Sequence, residues 1–515
     1  MKLQDIRDIV RIIERYDSGT APVVAWPDPS REGQLSAKFH LLMIRDTVRS
    51  DSEAAKRIYG ERFSPTKYKS LKSSYLSTTI NRIGTLSIAQ SGLSEYAKAI
   101  YKAHKYLFFI SFLLSSGSRS GGIGLAMRLL KLADKYEFHT IAIALLNELR
   151  KDAMQSGKAS EYRKYLRLYE SRIRLLANES QITALEESIT LHFSKSLFVP
   201  EKLKAEVRTA VRQAKKLLPN GDTYFARISY YRLLYISYQV EGEIAKSAAA
   251  CDEAIQYMLS KPHMSPPSRF AEFALYKLEN YILLRDYENG KMAAAYCEKH
   301  INKGMNIWFS YKEYEFLLLM QTTKFIEADA IYQEVRTHER FSSLPIHLQE
   351  RWQIFGLHIQ YVMRSNSART SDTEAAPFRK SYLMRNKEFK GRLLDFPTYR
   401  RDKRGFNVAI LTLNILVALE DNMLDLLLQQ EEALSSYRFK YLNEKHCKQS
   451  FILFKLIRLV TKNEFDLAKI GRKAKLIEKS LDMNKLGAGE IFECIQILPP
   501  GWVWTRIKTI LANRK

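Results

Sequence analysis

Hydrophobic positions along this chain recur at helical spacing from its first residues. Leu3, Ile6, Ile9, Val10, Ile12 and Ile13 fall at three- and four-residue steps, the period of one helix face. Pro27 and Pro29 interrupt the stripe, because proline fixes φ and removes a backbone donor. A second helix is predicted from Glu32 to Arg49. Ser50 is placed to cap a short third helix, Glu53 to Tyr59, that stops at Gly60, and Ser64 with Pro65 opens a fourth toward Ile83. Helical patterning resumes at Ser91, runs to Leu114 and meets the glycine- and serine-rich stretch 115–124. That stretch reads as a hinge or interhelical loop after an N-terminal helical domain, residues 1–114.

Beyond it the pattern is one of pairs. Leu125–Tyr136 and Thr140–Met154 form a hairpin in which Leu129, Leu132 and Tyr136 can meet Ala142, Leu145 and Leu146. Separate helices are predicted at Ser160–Ala177 and Gln181–Leu197, and further ones follow to Arg336. Two hairpins look like copies: Tyr235–Tyr238 leads to Ala248–Cys251, and Tyr281–Leu284, 46 positions on, leads to Ala293–Cys297. A third, Phe316–Val335, recurs at an interval near 35. In each, a helix of bulky residues precedes one with a small-residue face. Such a hairpin cannot bury its apolar face alone, so copies stack on one another.

The expected fold is therefore all-α. Residues 125–364 carry the helical repeats, 365–406 form a polar and basic connector, and 407–515 add C-terminal helical repeats with a cap from Trp502 to Ala512. The paired helices resemble divergent tetratricopeptide repeats (TPR) over roughly residues 120–340, with an extension at 448–481. Ala248, Ala294 and Ala328 resemble the family's small position, and Leu284 with Asp286 and Tyr287 resembles its turn. The family's tryptophan, Leu-Gly pair and closing proline are largely missing, so the resemblance is one of superfamily. It implies a right-handed α-solenoid of stacked antiparallel pairs that binds a protein or peptide along its first helices. On those helices Tyr231, Tyr235, Tyr276, Asn280, Tyr311 and Tyr314 are the candidate contacts, tyrosine being a rigid residue with large contact area.

Charge adds a second reading. Lysines and arginines outnumber acids by 25, an excess that favours an acidic partner such as nucleic acid. Three places concentrate it. Lys67, Lys69 and Lys72 lie on the longer helix of a helix-turn-helix-like pair. Lys204, Arg208, Arg212, Lys215 and Lys216, with Lys202 before them, are spaced to share one helical face. Lys387, Lys390, Arg400 and Arg401 sit in a basic run interleaved with Phe389, Phe396 and Tyr399, a pattern suited to phosphates and stacked bases.

Catalytic chemistry finds no foothold. No HExxH, GxSxG, Walker or GxGxxG motif is present, and the histidine–glutamate neighbours His338–Glu339 and His347–Glu350 lack a third ligand at useful spacing. Glu272 and Glu279 read as solvent-facing or capping carboxylates. Four scattered cysteines, Cys251, Cys297, Cys447 and Cys494, make neither a disulfide framework nor a metal site, and Cys251 and Cys297 are expected to be buried packing residues. No enzyme activity, metal or cofactor is expected. The N-terminal segment mixes acids and bases without a signal-peptide core, and the apolar stretches fall short of the roughly 18–20 residues that span a bilayer. A cytoplasmic protein without integral membrane contact is the expectation.

Overall fold

Local chemistry sets where the helices begin and end. Ser50 Oγ accepts from the backbone N–H of Glu53, Ser94 Oγ from Ala97, Thr223 Oγ1 from Ala226 and Asp286 Oδ1 from Asn289. Each satisfies a donor that the first turn leaves open. At the other end, Gly242 stops its helix in the left-handed region, a conformation that glycine adopts without a Cβ clash. The computed structural model describes residues 2–16, 31–45, 47–60, 64–85, 93–195, 200–367, 405–429, 448–481 and 496–513. Among these all regular structure is helical, and no strand occurs.

The helices are α1 (Leu3–Tyr16), α2 (Arg31–Arg45), α3 (Asp51–Tyr59), α4 (Pro65–Thr85), α5 (Glu95–Ser115), α6 (Arg119–Lys135) and α7 (His139–Gln155). They continue as α8 (Ala159–Lys195), α9 (Glu201–Leu217), α10 (Tyr224–Glu241), α11 (Ile244–Ser260), α12 (Pro267–Leu284), α13 (Tyr287–His300), α14 (Asn306–Gln321) and α15 (Phe325–Arg336). The last are α16 (Ile346–Ser367), α17 (Gly405–Glu420), α18 (Leu424–Gln429), α19 (Lys448–Lys462), α20 (Leu467–Glu478) and α21 (Pro500–Ala512).

The chain divides into two compact units, Met1–Tyr169 and Glu170–Lys515, and the division falls within α8. In the first unit, α1 to α4 close around Ile6, Val10, Phe39, Met43, Ala54, Tyr68 and Tyr75. The hydroxyl of Tyr75 and Nδ1 of His40 lie 2.6 Å apart inside that core. Helices α5, α6 and α7 pack mutually. In the second unit each helix from α9 to α15 packs on the one after it, and α12 also packs on α14. Helices α17, α19 and α20 all rest on α21. A continuous apolar core runs from Ala271 to Leu511.

Three expectations change. Of the stretch 115–124 only Ser116 to Ser118 form an interhelical loop, and the glycines that follow are helical. Gly122 is buried against Leu114, where a Cβ would come 2.7 Å from the leucine side chain, so this glycine serves close approach of α5 and α6. The helices predicted at Ser160–Ala177 and Gln181–Leu197 are the single α8, since Asn178, Glu179 and Ser180 are polar without breaking a helix. Repeat spacing also differs. Helix α10 starts at Tyr224, α12 at Pro267 and α14 at Asn306, so the first interval is 43 and the second 39, where matched residue types suggested 46 and 35. Of the C-terminal helical repeats expected at 407–515, residues 430–447 and 482–495 lie outside the described ones, as does 368–404 of the connector.

Cys251 and Cys297 are free thiols buried in the small-residue helices, and Cys447 and Cys494 lie outside the described residues. A tighter packing point occurs between α15 and α16. A Cβ added at buried Gly356 would stand 2.6 Å from Cζ of Tyr332. Gly356→Ala is therefore expected to destabilise the chain by about 1–3 kcal/mol through overpacking. Urea denaturation reads this as a lower midpoint, and an unchanged midpoint would mean that the ring moves aside without cost.

Candidate functional site

The helices α8, α10, α12, α14 and α16 touch through polar and aromatic side chains that cross from one to the next. Arg232 on α10 donates to both carboxylate oxygens of Glu272 on α12, at 2.7 and 2.8 Å. Its other side lies 3.6 Å from Glu186 on α8. The planar guanidinium suits this bridging, because its donors form a rigid fork that matches a carboxylate. Gln239 donates to Asn280 at 2.6 Å across α10 and α12. On the far side, Arg351 of α16 donates to both oxygens of Glu313 on α14, at 2.7 and 2.8 Å. Phe316 and Phe355 stack beside that pair, 4.7 Å between ring centres.

Glu279 departs from this rule of pairing. Tyr235 donates its hydroxyl to Glu279 Oε2 at 2.7 Å, and the rings of Tyr235 and Tyr276 stack at 4.2 Å and 13°. No cation contacts the carboxylate among the described residues, whereas Glu186 and Glu272 share Arg232, Glu313 has Arg351, and Glu420 has Arg506. Burial pushes the Glu279 carboxyl up to about 7, and the Tyr235 hydroxyl pulls weakly the other way. The nearby Glu279 charge, followed by burial, raises the Tyr314 hydroxyl well above its ordinary range. Protein surrounds this carboxylate densely, yet Glu279, Tyr276 and Tyr314 each keep part of their surface in solvent. The expectation of a solvent-facing or capping role for Glu272 and Glu279 is thus corrected: both are interhelical groups.

Of the other candidate contacts, Tyr231, Tyr235, Asn280 and Tyr311 are buried. Asn280 and Tyr235 tie α10 to α12 through the bonds above. Tyr311 lies under the Lys312 ammonium, 4.8 Å from its ring centre, and Lys312 bridges Glu315 and Glu334 at 2.9 and 3.0 Å. Tyr276 and Tyr314 are the two of the six with open surface.

The basic candidates fare differently by location. Lys67 and Lys69 are exposed on α4, but Lys72 donates to both oxygens of Asp51 at 2.7 and 3.0 Å. Tyr68 donates to the same carboxylate, so these residues clamp the start of α3 onto α4. Partial burial raises Asp51, and the Lys72 and Tyr68 bonds more than reverse it, leaving its carboxyl below the usual range. On α9, Lys204 pairs with Glu201 and Arg208 with Glu241. Arg212, Lys215 and Lys216 remain exposed and meet no acid among the described residues. Lys387, Lys390, Arg400 and Arg401 lie outside those residues.

Sequence reasoning missed Arg232, Glu186, Glu313 and Arg351. A signal existed: opposite charges stand 40 positions apart in Arg232 and Glu272 and 38 apart in Glu313 and Arg351, close to one repeat. Among the described residues no group of three His, Cys, Asp or Glu side chains is arranged to hold a metal, and no helix is long and apolar enough to cross a membrane. No protein-family model, curated protein or solved structure matches the chain.

Ionisation of Glu279 has a measurable consequence. Its carboxyl titrates at the ordinary 4.5 when unfolded and near 7 when folded. Because the folded state holds the proton longer, its stabilising contribution is complete below pH 4.5, declines as pH rises, and is lost above about 7. At about 1.4 kcal/mol per tenfold in proton affinity, the loss is on the order of 3 kcal/mol. Glu279→Gln, a neutral isostere, is expected to match the parent near pH 4.5 and to exceed it in stability near pH 8. Urea melts at the two pH values check this, and an equal difference at both would refute the assignment.

Proposed function

We propose that this chain is a non-catalytic scaffold or adaptor: a right-handed, TPR-like α-solenoid whose helices α10, α12 and α14 receive a protein or peptide partner. The observation that carries the reading is the direct side-by-side contact of α8, α10, α12, α14 and α16 at intervals of about one repeat, with the intervening helices as second members of each pair. Stacked pairs of this kind expose a row of first helices as one extended surface, and such surfaces are used for recognition. Tyr276 and Tyr314 supply rigid aromatic contact area on that row, and the exposed portion of Glu279 lies between them in the chain.

Panning a random-peptide display library on the purified full-length protein tests the proposal. Binders are expected whose affinity falls at least tenfold on Tyr276→Ala or Tyr314→Ala, with the thermal melt showing that each variant is folded. Failure to recover any specific binder, or recovery only of binders indifferent to both changes, would refute this use of the surface.

A second reading, binding of nucleic acid, rests on Arg212, Lys215 and Lys216, which face solvent on α9 and meet no acidic partner among the described residues. Release of condensed counterions makes such binding weaken with salt, with a slope near 0.9 in log–log terms per phosphate contacted on duplex DNA. If these residues bind DNA, replacing all three with alanine is expected to weaken binding and to reduce the slope by about 2–3. Fluorescence anisotropy on a labelled duplex at several salt concentrations measures both. A slope unchanged by the substitutions rules out this face.

A further inference from the structure

The Glu279 residue keeps part of its surface in solvent, and among the described residues its carboxylate lacks the cation that Glu186, Glu272 and Glu313 possess. Oε2 is held by the Tyr235 hydroxyl. Oε1 accepts no hydrogen bond from the protein, yet it is not among the sealed, unpartnered polar atoms, so solvent reaches it. Tyr276 on the same helix and Tyr314 on α14 stand close enough for the Glu279 charge to act on both hydroxyls, and both retain exposed surface. Among the described residues the carboxylates Glu186, Glu272, Glu279 and Glu313 on this row face two guanidiniums, those of Arg232 and Arg351. The local balance is acidic in a chain that is strongly basic overall.

Carboxylates in a low-dielectric setting are costly unless a cation and hydrogen bonds compensate them. Aromatic faces beside such a site add attraction for an ammonium or guanidinium group. We propose that Glu279, with Tyr276 and Tyr314, is a receptor site for a cationic side chain, arginine or lysine, presented by a basic peptide segment of the partner. Oε1 accepts the hydrogen bond from the incoming group while Tyr235 holds Oε2, and the tyrosines cover the cation's apolar stem. This deepens the binding-surface reading and rests on it.

Binding of Nα-acetyl-arginine amide and Nα-acetyl-lysine amide to the full-length protein, followed by NMR of selectively labelled glutamate side chains, tests the site. Nα-acetyl-citrulline amide serves as the uncharged control. Either cationic amide is expected to bind saturably and to move the Glu279 titration midpoint to lower pH, since a bound cation favours the carboxylate. The control should do neither, and Glu279→Gln should weaken cation binding at least tenfold. Should the variant misfold, the midpoint shift in the parent protein decides alone. Absence of saturable binding by both cationic amides, or a midpoint that does not move, overturns the proposal.

Failure here is separable from failure of the binding-surface reading. Library peptides that depend on Tyr276 and Tyr314 but lack arginine and lysine would preserve the surface while eliminating the cation site. Cation binding at Glu279 without any peptide binder would retain the site and eliminate the surface.

Discussion

The C-terminal half of α14 must be enclosed on every side, and much of the second unit follows from that constraint. Phe316, Leu317, Leu318, Leu319 and Met320 are buried around the full circumference of that half, and Trp308, Phe309 and Tyr311 are buried on one side of the first half, where Ser310 and part of Tyr314 stay open. A helix apolar all round has no face to turn to water and needs neighbours in several directions. Helices α12, α13 and α15 pack against it, and α16 meets it through Phe316–Phe355 and Glu313–Arg351. Each large side chain buried in this way contributes about 1.5–3 kcal/mol, opposed by the conformational entropy of ordering the chain. Enclosure also draws polar groups inward. Lys312 and Glu313 are both buried, and each is matched to opposite charge: Lys312 to Glu315 and Glu334, Glu313 to Arg351.

The same logic explains the row of polar bridges. Apolar contacts tolerate sliding of one helix along another, whereas a bidentate arginine–carboxylate pair permits a narrow range of positions. Arg232–Glu272, Gln239–Asn280 and Glu313–Arg351 therefore fix how successive helices are placed along their axes. Net stabilisation from such buried pairs is small, because desolvation offsets much of the attraction. Their larger effect is on specificity of packing. Glu279 breaks the pattern, and departures from otherwise consistent local rules concentrate where proteins do their work.

Much of the fold was legible in the chain. Ser50 and Gly60 bound α3 as their capping chemistry requires, Pro65 begins α4, and the small-residue helices with Cys251 and Cys297 are buried. The site was legible only in part. Tyr276 and Tyr314 were visible as aromatics on first helices and keep open surface, while Asn280 and Tyr311, chosen by the same criterion, are interior. Helical periodicity identifies a face but cannot tell inside from outside when both faces of a helix are apolar. Gly117 to Gly124 misled for a related reason: glycine permits a loop, and it equally permits two helices to approach, as Gly122 and Leu114 do.

By itself the sequence determined the helical character of the chain, most helix starts and stops, and the pairing of bulky with small-residue helices, because these depend on contacts between residues close in the chain. Only the tertiary structure decided which polar side chains meet. Glu272 and Glu279 lie seven residues apart on one helix, and nothing local distinguishes them. Glu272 finds Arg232 forty positions away, and Glu279 finds a tyrosine hydroxyl and, among the described residues, no cation. Charge compensation depends on atoms within a few ångströms, and those neighbours are set by how α10, α12 and α14 stack.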